Sequence, residues 1–412
     1  MPSHHQLLRN FLIGLFLIGS FFIGHTQNMQ EVRNNIKKLT SKSFAGRGYV
    51  KNGDKKAAKF LAKKFKKYGL EELNESYYQP YTFSINSFPK KLHLQIDQTP
   101  LTPAYDYIIK SSANSISGKF PCLYLPLSDE QKEQNLSQYF LVGNQEYSEL
   151  TQENLLNAKG FISLENKQPI WSVFPAMDTS YYIVVHLDER KLADSIQQIQ
   201  LDINSKYLVN HQSQNVWGMV HGKTYTDSLI LITAHYDHLG MMGNAIYPGA
   251  NDNASGIAML LELAKHFSQA QNQPEVSILF VAFSGEEVGL LGSSYLANHF
   301  PFDLKKIQLQ INLDMVGSGS EGITIVNGRE FSKIFDEFKT INEEQQYLKE
   351  VKARSVSCNS DHCPLYEKGV PAIFIYTRGP EATAYHIPQD DFESLPLTKF
   401  TELFQLLRDF IH

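Results

Sequence analysis

The stretch VSILFVAFSGEEVGLLGS, residues 276–293, joins an unbroken apolar run to two adjacent carboxylates, Glu286 and Glu287. A short apolar run bounded by turn residues reads as a buried strand. The pair comes where that strand should end. Adjacent like charges repel, and a buried carboxylate is costly unless it is paired or bound to a metal. Either the two glutamates sit on a solvated loop, or each has its own task.

The same texture extends from about residue 213 to the end. LILITA (229–234), IQLQINL (307–313), GITIV (322–326) and AIFIY (372–376) are further candidate buried strands. Helical stretches at 254–268, 288–299, 330–346 and 396–411 lie between them. This alternation predicts an α/β fold, a mostly parallel central sheet with helices on both faces. In open sheets of that kind, ligands bind beyond the carboxyl ends of the strands.

The residues just after each apolar run are therefore informative. His235-Tyr236-Asp237-His238 comes after LILITA, and Asp314 after IQLQINL. PGANDNASG places Asp252 at the start of a helix, and YHIPQDD carries His386. Imidazole and carboxylate groups are the usual nitrogen and oxygen ligands of zinc. Taken singly, each has a plain structural role: a hydrogen-bonded strand-end histidine, a helix cap at Asp252, a buried ion pair at Asp314. Gathered on one predicted edge and flanked by small residues, they favour a metal site.

Upstream, a polar helix is expected over roughly 29–39, followed by the breaker-rich loop LTSKSFAGRGYVKNG. A second helix is expected from Asp54 to Tyr68, with Asp54 as N-cap and Gly69 as its stop. Ala57, Ala58, Leu61, Phe65 and Tyr68 recur at helical spacing as its apolar face. Lys55, Lys56, Lys59, Lys63, Lys66 and Lys67 read as its solvated outer face. Between 92 and 208 the texture changes to short β-like runs, LHLQI, FPCLYLPL, GFISL and YYIVVHL, separated by polar linkers. This reads as an inserted β-rich domain without a metal-ligand cluster.

The chain has 412 residues, 42% of them hydrophobic, enough for a large core and a smaller second unit. A net charge of −5 gives no global case for a nucleic-acid partner. At the N-terminus, FLIGLFLIGSFFIG (11–24) has the length of a signal-peptide core, so 1–26 reads as a secretion signal. The alternative is an uncleaved membrane anchor. The expectation is a secreted or periplasmic protein with no stable membrane insertion after cleavage.

AHYDHLG, PGANDNASG, FSGEEVGLLGS, INLDMVG, SDHCPLYEKGVPAIF and YHIPQDD, in this order, resemble the secreted di-zinc aminopeptidases. That family also includes glutamate carboxypeptidase II and the transferrin receptor ectodomain. The resemblance covers about 213–412 and extends to SFAGRGYVKNGDKKAAKFLAKKF, residues 43–65. It implies a fold of the zinc exopeptidase type, with a peptidase domain over 27–91 and 209–412 and an inserted domain over 92–208. Several members carry a protease-associated β domain there, to which GFISLENKQP and VVHLDERKLADSI bear only a vague similarity.

The resemblance also implies roles. His235, Asp252 and Asp314 would hold one zinc ion, and Asp252, Glu287 and His386 the other. Glu286 would be the general base, Asp237 would orient His235, and Tyr385 would help stabilise the tetrahedral intermediate. Asp361 and His362 would shape the site. Three carboxylates and a bridging hydroxide would neutralise two zinc ions by formal count, which permits partial burial. The implied activity is removal of N-terminal residues from peptides. Rivals are a carboxypeptidase or dipeptidase of the same fold, a single-zinc glutaminyl cyclase, and a non-catalytic binding ectodomain.

Cys358 and Cys363 flank NSDH. They could form a short-loop disulfide, as a few members of that family have near this place. The rivals are two free thiols or a zinc site using His362, although a structural site wants four ligands.

Overall fold

The apolar runs lie side by side in one eight-stranded sheet. The structure, a computed structural model, describes residues 27–412 apart from 148, 150–152, 177–181, 193 and 194. The leader read over residues 1–26 lies outside the described residues. In spatial order the strands are β1 (Tyr78–Ser87), β10 (Lys206–Val220), β14 (Val276–Phe283), β11 (Tyr225–His235), β15 (Ile307–Leu313), β18 (Ala372–Arg378), β16 (Gly322–Val326) and β17 (Val351–Ala353). The central four, β14, β11, β15 and β18, run parallel. β1 and β10 add antiparallel on one side, and β16 pairs antiparallel with β18 on the other. A short hairpin of β12 (Gly240–Met242) and β13 (Ala245–Tyr247) stands apart from this sheet, between β11 and the next helix in sequence.

Parallel strands in register must end together. Thr233 of β11 pairs with Val281 of β14 and Asn312 of β15, so the residues after all three strands emerge at one edge. Within β11, Ile232 and Ala234 face one layer of helices while Leu229 and Leu231 face the other. That is the period-two alternation of a strand buried on both sides.

One helical layer holds α1 (Met29–Leu39), α2 (Gly53–Tyr68), α3 (Gly256–Phe267), α5 (Ser332–Gln345) and α7 (Phe400–Ile411), all contributing to one core. The other face is covered by α4 (Leu291–Asn298) and α6 (Cys363–Glu367). α3 is apolar nearly all round, as befits a helix packed between the sheet and other helices. Its Leu260, Leu261 and Leu263 are fully buried, each contributing about 1.5–3 kcal/mol.

Two sequence readings need correction or completion. α2 begins at Gly53 with Asn52 as its N-cap, so Asp54 is not the cap. Its carboxylate turns inward, with Oδ2 2.6 Å from His211 Nε2 of β10. The long pair β1 and β10 was not legible as strands. β1 is the sheet's edge, with an alternating rather than continuous apolar pattern, and β10 starts with exposed and half-buried polar residues.

A second eight-stranded sheet is built from β2 (His93–Ile96), β3 (Thr99–Pro100), β4 (Tyr107–Ile109), β5 (Ile116–Tyr124), β6 (Phe140–Gly143), β7 (Gly160–Glu165), β8 (Ile183–Asp188) and β9 (Gln198–Ile203). Its apolar cluster is continuous with Tyr49, Leu239, Met242, Tyr247 and Val288. The second sheet is therefore docked on the edge where the parallel strands end, not hung from a linker. No described helix is long and apolar enough to cross a membrane.

α1 is fastened to its neighbours by one carboxylate. Glu31 pairs with Lys64 of α2 at 3.0 Å and Lys265 of α3 at 2.6 Å, and accepts from the Tyr68 hydroxyl at 3.1 Å. Burial opposes its charge, but the two ammonium groups outweigh that and hold its pKa at about 2. A depressed carboxylate pKa stabilises the fold above the unfolded value and loses that contribution as pH falls through the folded one. Glu31→Gln should therefore lower the urea midpoint at pH 7. The gap between variant and parent should close progressively as the pH is lowered from about 4.5 towards 2. A gap independent of pH would rule out the charge as its cause.

Candidate metal centre

Six side chains converge where β11, β14 and β15 end. His235 is the last residue of β11, Asp314 comes directly after β15, and Glu286 and Glu287 follow β14 after a Ser-Gly turn. Gly285 there has φ +68°, a conformation that glycine adopts without strain. Asp252 lies in a single wide turn, Ala250–Ser255, that runs straight into α3. His386 comes from the loop before α7 and sits at φ +55°.

Asp252 sits between the two histidines. Its Oδ1 is 3.3 Å from His235 Nε2, and its Oδ2 is 3.3 Å from His386 Nε2. His235 Nε2 is also 3.3 Å from Asp314 Oδ1, and His386 Nε2 is 3.2 Å from Glu287 Oε2. Two donor sets therefore share one carboxylate: His235, Asp252, Asp314 and His386, Asp252, Glu287. Glu286 Oε2 stands further from His235 Nε2, at 4.0 Å. Grouping by proximity alone, within 4.8 Å, joins His235 with Glu286 and Asp314, and His235 with Asp252 and Glu287. The shorter contacts, 3.2–3.3 Å, are those of the two sets that share Asp252, whose two oxygens face one imidazole each.

The structural alternatives offered for the two aspartates are not realised. Asp252 makes no side-chain cap to its helix, and Asp314 pairs with His235 rather than with Arg or Lys. Asp237 holds this corner together from below. Its Oδ1 accepts from Glu286 N at 3.3 Å and its Oδ2 from the Tyr49 hydroxyl at 2.9 Å. The nearest acceptor to His235 Nδ1 is the Asp237 backbone oxygen at 3.2 Å, with the carboxylate at 3.9 Å. Tyr385 lies flat against His386, ring centroids 3.8 Å apart, and is partly exposed. In the SDH segment, Ser360 Oγ donates to Asp314 Oδ2 at 2.8 Å. Asp361 is buried and accepts from Ser293, and His362 Nε2 lies 2.7 Å from Ser357 O. Cys358 and Cys363 are bonded as a disulfide, and Cys122 is single.

Several important residues escaped the sequence reading. Arg47 is fully buried and its guanidinium donates to the backbone oxygens of Leu39, Tyr236, Pro248, Gly249 and Asp252. It thus ties the end of β11 to the Asp252 turn. Gly48 makes this possible, since a Cβ there would collide with the Gly240 backbone. Asp390 accepts from Asn251 N at 2.8 Å and Asp252 N at 3.0 Å. Asn253 links the turn to β15, donating to Leu313 O at 2.9 Å. His238 Nδ1 lies 2.6 Å from Glu287 Oε1, while its Nε2 is buried without a partner. A lone arginine in a glycine-rich loop and an aspartate just after His386 were the only signals available for the first two.

The electrostatics reflect many carboxylates in little water. Burial pushes Glu286 well above the usual carboxylate range, with Glu287, Asp361 and Asp314 adding to the effect against His235. Burial likewise raises Asp237 to about 6 and Asp390 to about 7. Glu287 goes the other way: burial and Asp252 oppose its charge, yet His386 and His238 hold it at about 2. Burial disfavours a charged His386, but Glu287 and Asp252 outweigh it and raise the imidazole to about 11. Without an ion, then, the carboxylates favour protons on His235 and His386. A divalent cation would displace those protons. Buried nitrogen and oxygen donors, one carboxylate facing two imidazoles, and an excess of negative charge all fit zinc.

The inserted sheet reaches this centre. Trp171 N donates to His386 O at 3.1 Å, and Gln168 and Gln389 exchange hydrogen bonds through their amides. Trp171 is fixed in turn by stacking on Tyr247, centroids 5.0 Å apart, and by its indole N–H to Ile109 O.

Comparison with known proteins bears on the family and the fold. Residues 215–411 match peptidase family M28. Aminopeptidase YwaD of Bacillus subtilis is 28% identical over 262 residues, 60% of this chain and 55% of that protein. A probable zinc metalloprotease of Pyricularia oryzae is 37% identical over 113 residues, 26% of this chain and 22% of that protein. The chain thus spans about half or less of the curated relatives it matches. The solved structure of a zinc aminopeptidase from Bacillus subtilis superposes with a TM-score of 0.70, at 21% identity over 93% of this chain and 94% of that one. At that identity the likeness is one of fold. The match to peptidase family M28 takes in just under half of this chain, and with it all six residues of the centre.

Proposed function

We propose that the protein is a secreted zinc exopeptidase that removes N-terminal residues from peptides, using two zinc ions. The observation that carries the reading is Asp252, whose two oxygens each face a different imidazole at 3.3 Å. His235, Asp252 and Asp314 would hold one ion, and Asp252, Glu287 and His386 the other. When bound, the pair would polarise the scissile carbonyl and lower the pKa of water in the site.

The chain's own residues supply the rest. Glu286 belongs to neither three-residue set, and its carboxylate is left to take a proton from the attacking water and return it to the leaving amine. Asp237 positions Glu286 through its backbone N–H. Tyr385, stacked on His386 at the cavity wall, offers a hydroxyl to the oxyanion. The peptidase domain over 27–91 and 209–412 would carry the chemistry, and the insert over 92–208 would bound the cleft. Residues 1–26 would direct export, and the disulfide supports an oxidising compartment. A non-catalytic binding role is disfavoured because every ligand type and the candidate base are present and convergent.

A panel of amino-acyl amides and N-acetylated controls, with and without chelator, tests the activity. Turnover of the free-amine substrates alone, abolished by chelator and restored by zinc, is the expected result. Cleavage of the blocked controls would point to an endopeptidase. Glu286→Gln should lower kcat by about 10²–10⁴-fold with zinc content unchanged by elemental mass spectrometry. Loss of zinc with this change would mean that base and ligand are exchanged. Arg47→Met leaves five backbone carbonyls without their donor and removes a positive charge that favours the Asp390 carboxylate. It should cost about 3–5 kcal/mol in chemical denaturation and weaken zinc binding by roughly 10–100-fold in competition with a chelating dye.

A further inference from the structure

The cavity over the metal centre is small, about 250 Å³. Beyond the residues of the centre itself it is lined by Met315, Phe374, Tyr376, Tyr385, Asn359 and Arg354. Its lining thus combines apolar and aromatic side chains with a single permanently charged cation. Every other described arginine has a partner: Arg33, Arg47, Arg190, Arg329, Arg378 and Arg408 all donate to an acceptor within the chain. Among the described residues, the Arg354 guanidinium alone has no hydrogen-bond or ion-pair partner.

Its backbone, by contrast, is fixed. Arg354 N donates to Ile325 O at 2.9 Å and Arg354 O accepts from Arg329 N at 3.2 Å, which anchors the residue just beyond β17. Asn359, on the same cavity, belongs to a loop closed by the Cys358–Cys363 disulfide. A guanidinium on a fixed backbone, free of internal acceptors and facing a small cavity, is arranged to take an anion from outside. Its planar fork matches a carboxylate, which it can bind through two parallel hydrogen bonds.

We propose that Arg354 binds a carboxylate of the peptide substrate, so that the site prefers peptides presenting one close to the scissile bond. This rests on the exopeptidase reading above. The carboxylate comes either from the C-terminus of a short peptide or from an acidic side chain next to the bond. The small cavity accommodates either, because in both the anion lies within one residue of the attacked carbonyl. Free amine and carboxylate then occupy opposite poles, the first towards the carboxylate-rich centre and the second towards Arg354.

Four substrates separate the two sources: Leu-Ala, Leu-Ala amide, Leu-Glu amide and Leu-Gln amide. A C-terminal preference gives Leu-Ala at least about a tenfold advantage in kcat/KM over its amide, and a side-chain preference gives Leu-Glu amide that advantage over Leu-Gln amide. In Arg354→Gln the operative ratio should fall to about one, mainly through KM, and Arg354→Lys should retain part of it. Thermal melts of both variants check that the fold is intact. The proposal is overturned if both ratios are near one in the parent, or if the operative ratio survives in Arg354→Gln. If zinc-loaded parent turns over none of the four, the exopeptidase reading fails instead. Calorimetry then decides the role of Arg354 on its own. Reduced-amide analogues of the same four peptides must show the same preference in affinity, and Arg354→Gln must remove it.

Discussion

Burial of negative charge is the constraint on which this architecture depends. Asp252, Glu287 and Asp314 are nearly inaccessible and Glu286 is mostly so, all against His235, His238 and His386. Charge so placed must be answered within a few ångströms or it unfolds the site. The fold answers it from two directions. Imidazoles stand in front of Asp252, and the Arg47 guanidinium stands behind its turn. A divalent cation held by these side chains would complete the balance from the front.

The parallel core explains why such a cluster can be held at all. Strands in register deliver His235, the two glutamates and Asp314 to one edge, and the helices on both faces exclude water from everything beneath it. His235, Glu286, Glu287 and Asp314 are then not on free loops. Each comes after a strand by at most a short turn, and these turns are tied to their neighbours, β15 to the Asp252 turn by Asn253 and Asp314 to the SDH segment by Ser360. Geometry held in this way does not have to be assembled when a substrate arrives.

The same physics decides how much of the fold and site was legible in the sequence. β14, β15 and β16 coincide with their apolar runs, because strands buried on both faces are continuous in hydrophobicity. β1 and β10 were invisible because an edge strand and a partly solvated neighbour leave a mixed pattern with no period to trace. Glu286, Glu287, His235, Asp252, Asp314 and His386 stood out because they are polar residues where apolar runs stop. Arg47, His238, Tyr49 and Asp390 did not. Their importance lies in contacts between segments far apart in sequence, such as Arg47 to Asp252 and Tyr49 to Asp237. The choice of Ser360 over its neighbours Asp361 and His362 as the residue touching Asp314 is likewise a matter of side-chain direction, which spacing does not convey.

The bond from Trp171 N to His386 O makes the inserted sheet a party to the metal centre. His386 occupies an uncommon left-handed backbone conformation, and its loop is steadied from outside the peptidase sheet. Displacing the second sheet would break this bond and leave the His386 loop to its own contacts, and a displaced His386 loop would in turn take one hydrogen bond from the seat of that sheet.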